Sequence, residues 1–252
     1  MPPITLHMVL ARRVSAGLGL AELEAAPGPY LLGSTTPDIR VITRGDRRDT
    51  HFFDLAQHDH QDSAAAFLAA NQQLADPAVL SAETRAFVAG YLTHLVLDEQ
   101  YITGIYRRFF LRHEELGGLV RANVMDRLLQ FDLDHSHGDD PEVVARLLEA
   151  LAFTVESIEC GFIDHETLER WRQVTADVAA RNMDWERART MIARHLERSG
   201  IQPGAELDDF LDSLPDLQGE TIALVTGAEV EGFIQRSTEA AARTVERYFE
   251  CG

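Results

Sequence analysis

Lysine is absent from this 252-residue chain, cysteine occurs only twice, and no apolar run approaches the length of a membrane span. All 23 basic residues are therefore arginine, and 41 acidic residues against them leave a formal charge of −18. A balance of that sign excludes the broad basic face that neutralises phosphates along a nucleic-acid polymer. It also disfavours adhesion to an anionic membrane. The two cysteines, Cys160 and Cys251, are too few for a disulfide framework or a cysteine-rich zinc site. A membrane-crossing helix needs about 20 consecutive apolar residues, so no membrane insertion is expected. Arg12 and Arg13 interrupt the one apolar stretch near the start of the chain. No signal peptide is read there, and a cytoplasmic location is the expectation. The missing lysine reflects coding bias and carries no functional reading.

Strand signals are nearly missing as well, whereas helical spacing recurs throughout. A content of 45% hydrophobic and 25% charged residues is that of an ordinary folded protein. Leu6, Val9, Leu10, Val14, Leu18 and Leu23 place an apolar stripe along residues 3–25, and Pro27-Gly28-Pro29 reads as its stop. Residues 35–59 keep no period and are rich in Asp, Arg, Thr and His. They read as an ordered loop of a length that is usually functional. Helices are expected over 61–74, from 81 through the apolar stretch 87–96 towards 110, and over 116–131. Residues 132–140 read as a polar loop. Asp140-Pro141 then opens a helix to about 160, with an N-cap acid followed by proline in the first turn. Asp164 starts the next, which runs towards 198 with a break near Asn182 and ends at Ser199-Gly200. After a turn at Gln202-Pro203-Gly204, two short acidic pieces lead to a last helix over about 219–248. No repeat or linker interrupts the series. The expectation is an all-α fold, a single-domain multi-helix bundle over residues 1–252.

Polar residues on apolar helices point to chemistry. His94 and Asp98 lie four apart on a helix that is otherwise apolar (Phe87, Val88, Tyr91, Leu92, Leu95, Val96, Leu97), so they share one face and can grip one ion. Two ionisable groups in a buried helix are costly unless they are paired or bind metal. A self-satisfied His–Asp pair is the competing explanation. In the aperiodic segment, Pro37-Asp38 is followed by Thr50-His51-Phe52, with His58 and His60 close behind, and His7 interrupts the first apolar face. Imidazoles and carboxylates together suit zinc, and also iron or manganese. Arg40, Arg44, Arg47 and Arg48 fall in the same segment, and guanidinium groups fit phosphate oxygens bidentately. Arg40, Arg44 and Arg48 are the candidates for substrate phosphate. Arg107, Arg108 and Arg112, interleaved with Phe109 and Phe110, read as a rim or an oligomer contact. Cys160, Trp171 and Trp185 read as packing.

His7, the segment Tyr30-Leu-Leu-Gly-Ser-Thr-Thr-Pro37-Asp38, the segment Arg48-Asp-Thr-His51-Phe52 and the pair His94-Leu-Val-Leu-Asp98 together resemble the zinc-dependent phospholipase C family, whose wider fold group includes the S1/P1-type nucleases. The resemblance covers residues 7 to 98. It implies an all-helical bundle of that type, with Asp38, His51, His94 and Asp98 around a principal metal and His7 serving a second ion bridged by Asp98. It further implies a metal-dependent phosphoric ester hydrolase, a phosphodiesterase or phosphatase in which metal-bound hydroxide attacks in line and Asp38 acts as general base. Two ions about 3.5–4 Å apart would suit that chemistry. After Asp98 no histidine occurs until His113. One or two divalent ions, zinc foremost, are therefore expected. Asp126, His135 and His137 are candidates to complete the site. A small phosphoester is the expected substrate, and the oligomeric state is left open. Two other readings compete: an HD-type nucleotide phosphohydrolase built on His58-Asp59, and a non-catalytic helical protein with a residual metal site. The acidity is uneven. Residues 1–126 hold 11 arginines and 15 acids, net −4, whereas residues 127–252 hold 12 and 26, net −14.

Overall fold

Pro3 precedes the first apolar stripe as its N-cap, and the stripe folds into α1 (Ile4–Leu18), which Gly19 ends in the left-handed region that glycine adopts freely. In the computed structural model, which describes residues 2–181 and 184–250, thirteen further α-helices follow. They are α2 (Ala21–Ala25), α3 (Pro27–Gly33), α4 (Arg40–Thr43), α5 (Arg48–His51), α6 (Ser63–Ala70) and α7 (Ala82–Tyr101). The remainder of the chain adds α8 (Leu119–Gly138), α9 (Pro141–Leu151), α10 (His165–Ala179), α11 (Trp185–Arg198), α12 (Ala205–Asp212), α13 (Leu214–Leu224) and α14 (Gly227–Glu250). Among the described residues there is no strand, so the fold is all-α, as the periodicity implies. The expected break at Asn182 and the second cysteine, Cys251, lie outside the described residues.

Several boundaries differ from the sequence expectation. Pro27 begins α3 and does not stop a helix, since its fixed φ and missing N–H suit a first helical turn. The aperiodic segment is half helical, with a 3-10 turn at Thr36–Ile39 followed by α4 and α5. The expected loop at 132–140 is mostly the last two turns of α8. Its polarity marks the exposed end of a helix and not irregular backbone: His135 is exposed and pairs with Asp139. Asp140 and Asp164 cap α9 and α10 through their side chains, as their positions suggest. The helix opened by Asp140 ends at Leu151, short of Cys160, which is buried in the core.

α7 is buried almost all round, which its near-continuous apolar sequence requires. It packs against α3 and α14. The crossing with α3 is possible because both helices offer glycine at the contact. A Cβ on Gly33 would collide with the Phe87 carbonyl, and one on Gly90 would collide with the Tyr30 carbonyl. Two apolar clusters lie on either side of α1 and α7. Met8 and Val9 of α1 join Phe87 to Leu95 of α7 in one cluster, while Leu6 and Leu10 join Leu97 and Tyr101 in the other. The polar residues of both helices are thereby held between two packed cores. α7 continues as a π-helix over Ile102–Phe110. There Arg107 donates to the Leu55 and Gln57 carbonyls and Arg108 pairs with Glu229 of α14. These arginines, read from sequence as a rim or oligomer contact, bind segments of their own chain.

Candidate metal centre

His7 of α1, Asp38 of the 3-10 turn, His51 at the end of α5, and His94 and Asp98 of α7 meet in one buried cluster. Each is delivered by a local device. The α3–α7 crossing puts the Ser34 carbonyl 2.8 Å from His94 Nδ1. Ser34, Thr35 and Thr36 turn their hydroxyls back onto the Leu31 and Leu32 carbonyls, which ends α3 and launches the turn that carries Asp38. Trp171 of α10 donates to Thr35 Oγ1 at 3.2 Å and anchors that turn from the acidic half of the chain. The Tyr91 hydroxyl donates to the Thr50 carbonyl at 2.6 Å, fixing the peptide before His51.

These hydrogen bonds settle the tautomers. A carbonyl only accepts, so His94 Nδ1 carries the proton and Nε2 presents a lone pair to the cluster. The Thr50 hydroxyl donates to the Arg47 carbonyl and so accepts from His51 Nδ1, leaving His51 Nε2 a lone pair as well. The two Nε2 atoms face each other at 3.4 Å. Asp38 Oδ1 stands 3.5 Å and Asp98 Oδ2 3.4 Å from His51 Nε2. Four acceptors thus converge with no proton of their own to share. A cation resolves that arrangement, and backbone and hydroxyl partners on the outer nitrogens are the supports that orient imidazole ligands.

Burial, with His7 stacked alongside at 3.8 Å, pushes His94 down to about 3, so it is neutral and free to ligate at ordinary pH. Burial alone would raise Asp98, yet contact with His7 and the nearby His94 and His51 outweigh it and hold the carboxylate well below its usual range. Asp38 is lowered in the same way, with burial opposed by His51 and His94. Both ring nitrogens of His7 and Asp98 Oδ1 are buried without a hydrogen-bond partner, although His7 Nε2 and Asp98 Oδ1 lie 3.4 Å apart. Unsatisfied buried groups of this kind are rare in native proteins and call for a ligand. Two overlapping sets could each hold an ion: Asp38, His51 and His94, and His7, His94 and Asp98. His94 has one lone pair to give, so it serves one of them.

Other expected participants fall elsewhere. His58 and Asp59 are exposed and belong to neither set, which removes the basis of the HD-type reading. Asp126 accepts from the Tyr101 hydroxyl and from Gln130, each at 2.7 Å. His135 and His137 engage Asp139 and Arg13 near the surface. Arg48 is exposed and paired with Asp46, and Arg44 is exposed at the left-handed end of α4. It is Arg47 that reaches the cluster, donating to Asp98 Oδ2 at 2.9 Å and to the Phe53 carbonyl.

Asp38 also lines a cavity of about 470 Å³ with Arg40, Arg127, Phe131, Arg187 and Ile192. Arg127 and Arg187 escape a sequence reading because only the packing of α8 and α11 brings them to Asp38. The segment that carries the cluster is similar to a known family: the model described as zinc dependent phospholipase C matches residues 6–100. No curated protein and no solved structure matches the chain. The matched family is zinc-dependent, in keeping with the two His/Asp sets. Among the described residues, no helix is long and apolar enough to cross a membrane.

Proposed function

We propose that this chain is a metal-dependent phosphoric ester hydrolase, acting on a small phosphodiester or phosphomonoester. The observation that carries the reading is the convergence of two imidazole lone pairs and two carboxylates on one buried point beside a cavity. Asp38, His51, His94 and Asp98 would hold the principal ion, and His7 with Asp98 would contribute to a second. Bound there, a divalent cation supplies Lewis acidity, lowering the pKa of water and polarising a phosphoryl oxygen. Asp38, placed at once in the cluster and in the cavity wall, would take the proton of the attacking water. Arg40 lines the same cavity and would orient the phosphate, whereas Arg44 and Arg48 do not line it. Arg47 fixes the orientation of Asp98. We treat residues 1–252 as one domain in this reading, because α14 packs along both α1 and α7, the helices that carry His7, His94 and Asp98.

The test pairs elemental analysis of the purified protein with hydrolysis of bis(p-nitrophenyl) phosphate. The expected outcome is bound divalent metal and turnover in the parent chain, with both lost in His94→Ala and Asp98→Ala. Unchanged turnover in those variants would place the active site elsewhere.

A further inference from the structure

Three arginines from three separate elements line the cavity beside Asp38: Arg40 at the start of α4, Arg127 on α8 and Arg187 on α11. Elsewhere arginines find carboxylates, as Arg108 does with Glu229, Arg121 with Glu220, Arg172 with Glu169 and Arg189 with Asp212. None of the three cavity arginines has a carboxylate oxygen within 4.0 Å among the described residues, in a chain where acids outnumber arginines 41 to 23. Arg40 Nε is enclosed without a hydrogen-bond partner. Among the described residues, the Arg187 guanidinium donates to the Arg181 carbonyl alone, at 3.4 Å. Arg127 is enclosed enough that burial pulls its pKa down. The other carboxylates of the wall, Asp126 and Asp134, act on Arg127 and Arg187 only from a distance and spend their hydrogen bonds elsewhere, Asp126 on Tyr101 and Gln130 and Asp134 on the Leu6 amide at 3.1 Å. Partly buried guanidinium groups without a directly bonded counter-ion are costly, and an incoming anion reduces that cost.

We infer that Arg40, Arg127 and Arg187 form an anion subsite, and that the substrate is a soluble phosphoester carrying a second phosphate or carboxylate group. This deepens the hydrolase reading and rests on it for the word substrate. The subsite itself does not depend on catalysis. Asp38 marks the end of the cavity at the ligand cluster, with Arg40 two residues on, so Arg127 and Arg187 are left for a group beyond the scissile phosphate. Phe131, Met191 and Ile192 add apolar surface to the same wall.

The test is isothermal titration of the full chain, with the metal it carries, against methylenediphosphonate and methylphosphonate, which are not turned over. The parent chain is expected to favour the diphosphonate by about tenfold or more, the scale of one charge-assisted contact. The Arg127→Gln/Arg187→Gln variant should reduce the preference to below about twofold, while Arg194→Gln, an exposed arginine on the same helix, should keep it. No preference in the parent chain, or one that survives the double substitution, overturns the inference. If the double variant unfolds, Arg187→Gln alone and the charge-conserving Arg127→Lys decide the matter, the first weakening the preference and the second keeping most of it. A parent chain that shows the preference but hydrolyses no phosphoester sinks the hydrolase reading and leaves the subsite standing. Sedimentation with phosphatidic acid vesicles that the double substitution abolishes would assign the site to a lipid headgroup and overturn the soluble assignment.

Discussion

Residues 1–126 and 127–252 differ in charge by ten, net −4 against −14, and they divide the labour of the candidate site just as unevenly. The first half carries all five ligand candidates and Arg47. The second carries none, yet it secures them: Trp171 ties down Thr35 and Asp134 takes the Leu6 amide next to His7. It also supplies two of the three cavity arginines. The acidic excess sits largely on outward faces, while the inward faces of α8, α10 and α11 are apolar or hold these few polar anchors. A formal charge of −18 therefore argues against long polyanions and is compatible with a small doubly charged ligand in one lined cavity.

The sharpest way to break this division is to remove a ligand. Asp98→Ala should abolish metal binding and destabilise the fold by about 3–5 kcal/mol in urea denaturation, because it breaks a largely buried ion pair with Arg47 by removing one member. Next in size is the helix crossing. Gly90→Ala should cost about 3 kcal/mol or more, since the added methyl meets the Tyr30 carbonyl. In an uncrowded helix the same change would stabilise by about 1 kcal/mol, so the sign of the measured shift decides. Trp171→Phe should cost about 1–2 kcal/mol by removing the buried bond to Thr35, and it should weaken metal affinity from a position in the acidic half. Metal titration with a fluorescent chelator checks this; an unchanged affinity would make the second half mere packing. The smallest effect is expected for His58→Ala with Asp59→Asn, where exposed side chains should leave metal content untouched and stability within about 0.5 kcal/mol.

Much of this was legible in the residues themselves. Apolar spacing located most of the helices, and Asp140 and Asp164 marked their helix starts because caps are local chemistry. His7, Asp38, His51, His94 and Asp98 were visible because each is polar where its neighbours are apolar or turn-forming, in an order that resembles a known family. Pro27 is ambiguous in sequence because a proline between glycine and alanine neighbours suits either a stop or a first turn, and packing against α7 and α9 decides which. Arg47 and Arg48 are indistinguishable in sequence because one residue of rotation at a single-turn helix separates the inward position from the outward one. Arg127 and Arg187 carry no local signal. Their role arises from the distance α8 and α11 travel to meet Asp38, which no spacing along the chain encodes.

The central claim is that the buried lone pairs of His51 and His94 with the carboxylates of Asp38 and Asp98 hold a cation. Elemental analysis of the full chain purified without chelator tests it most directly. One or two divalent ions per chain, lost in His94→Ala while the helical content persists, is the predicted result; a folded parent chain with no stoichiometric divalent metal would contradict it.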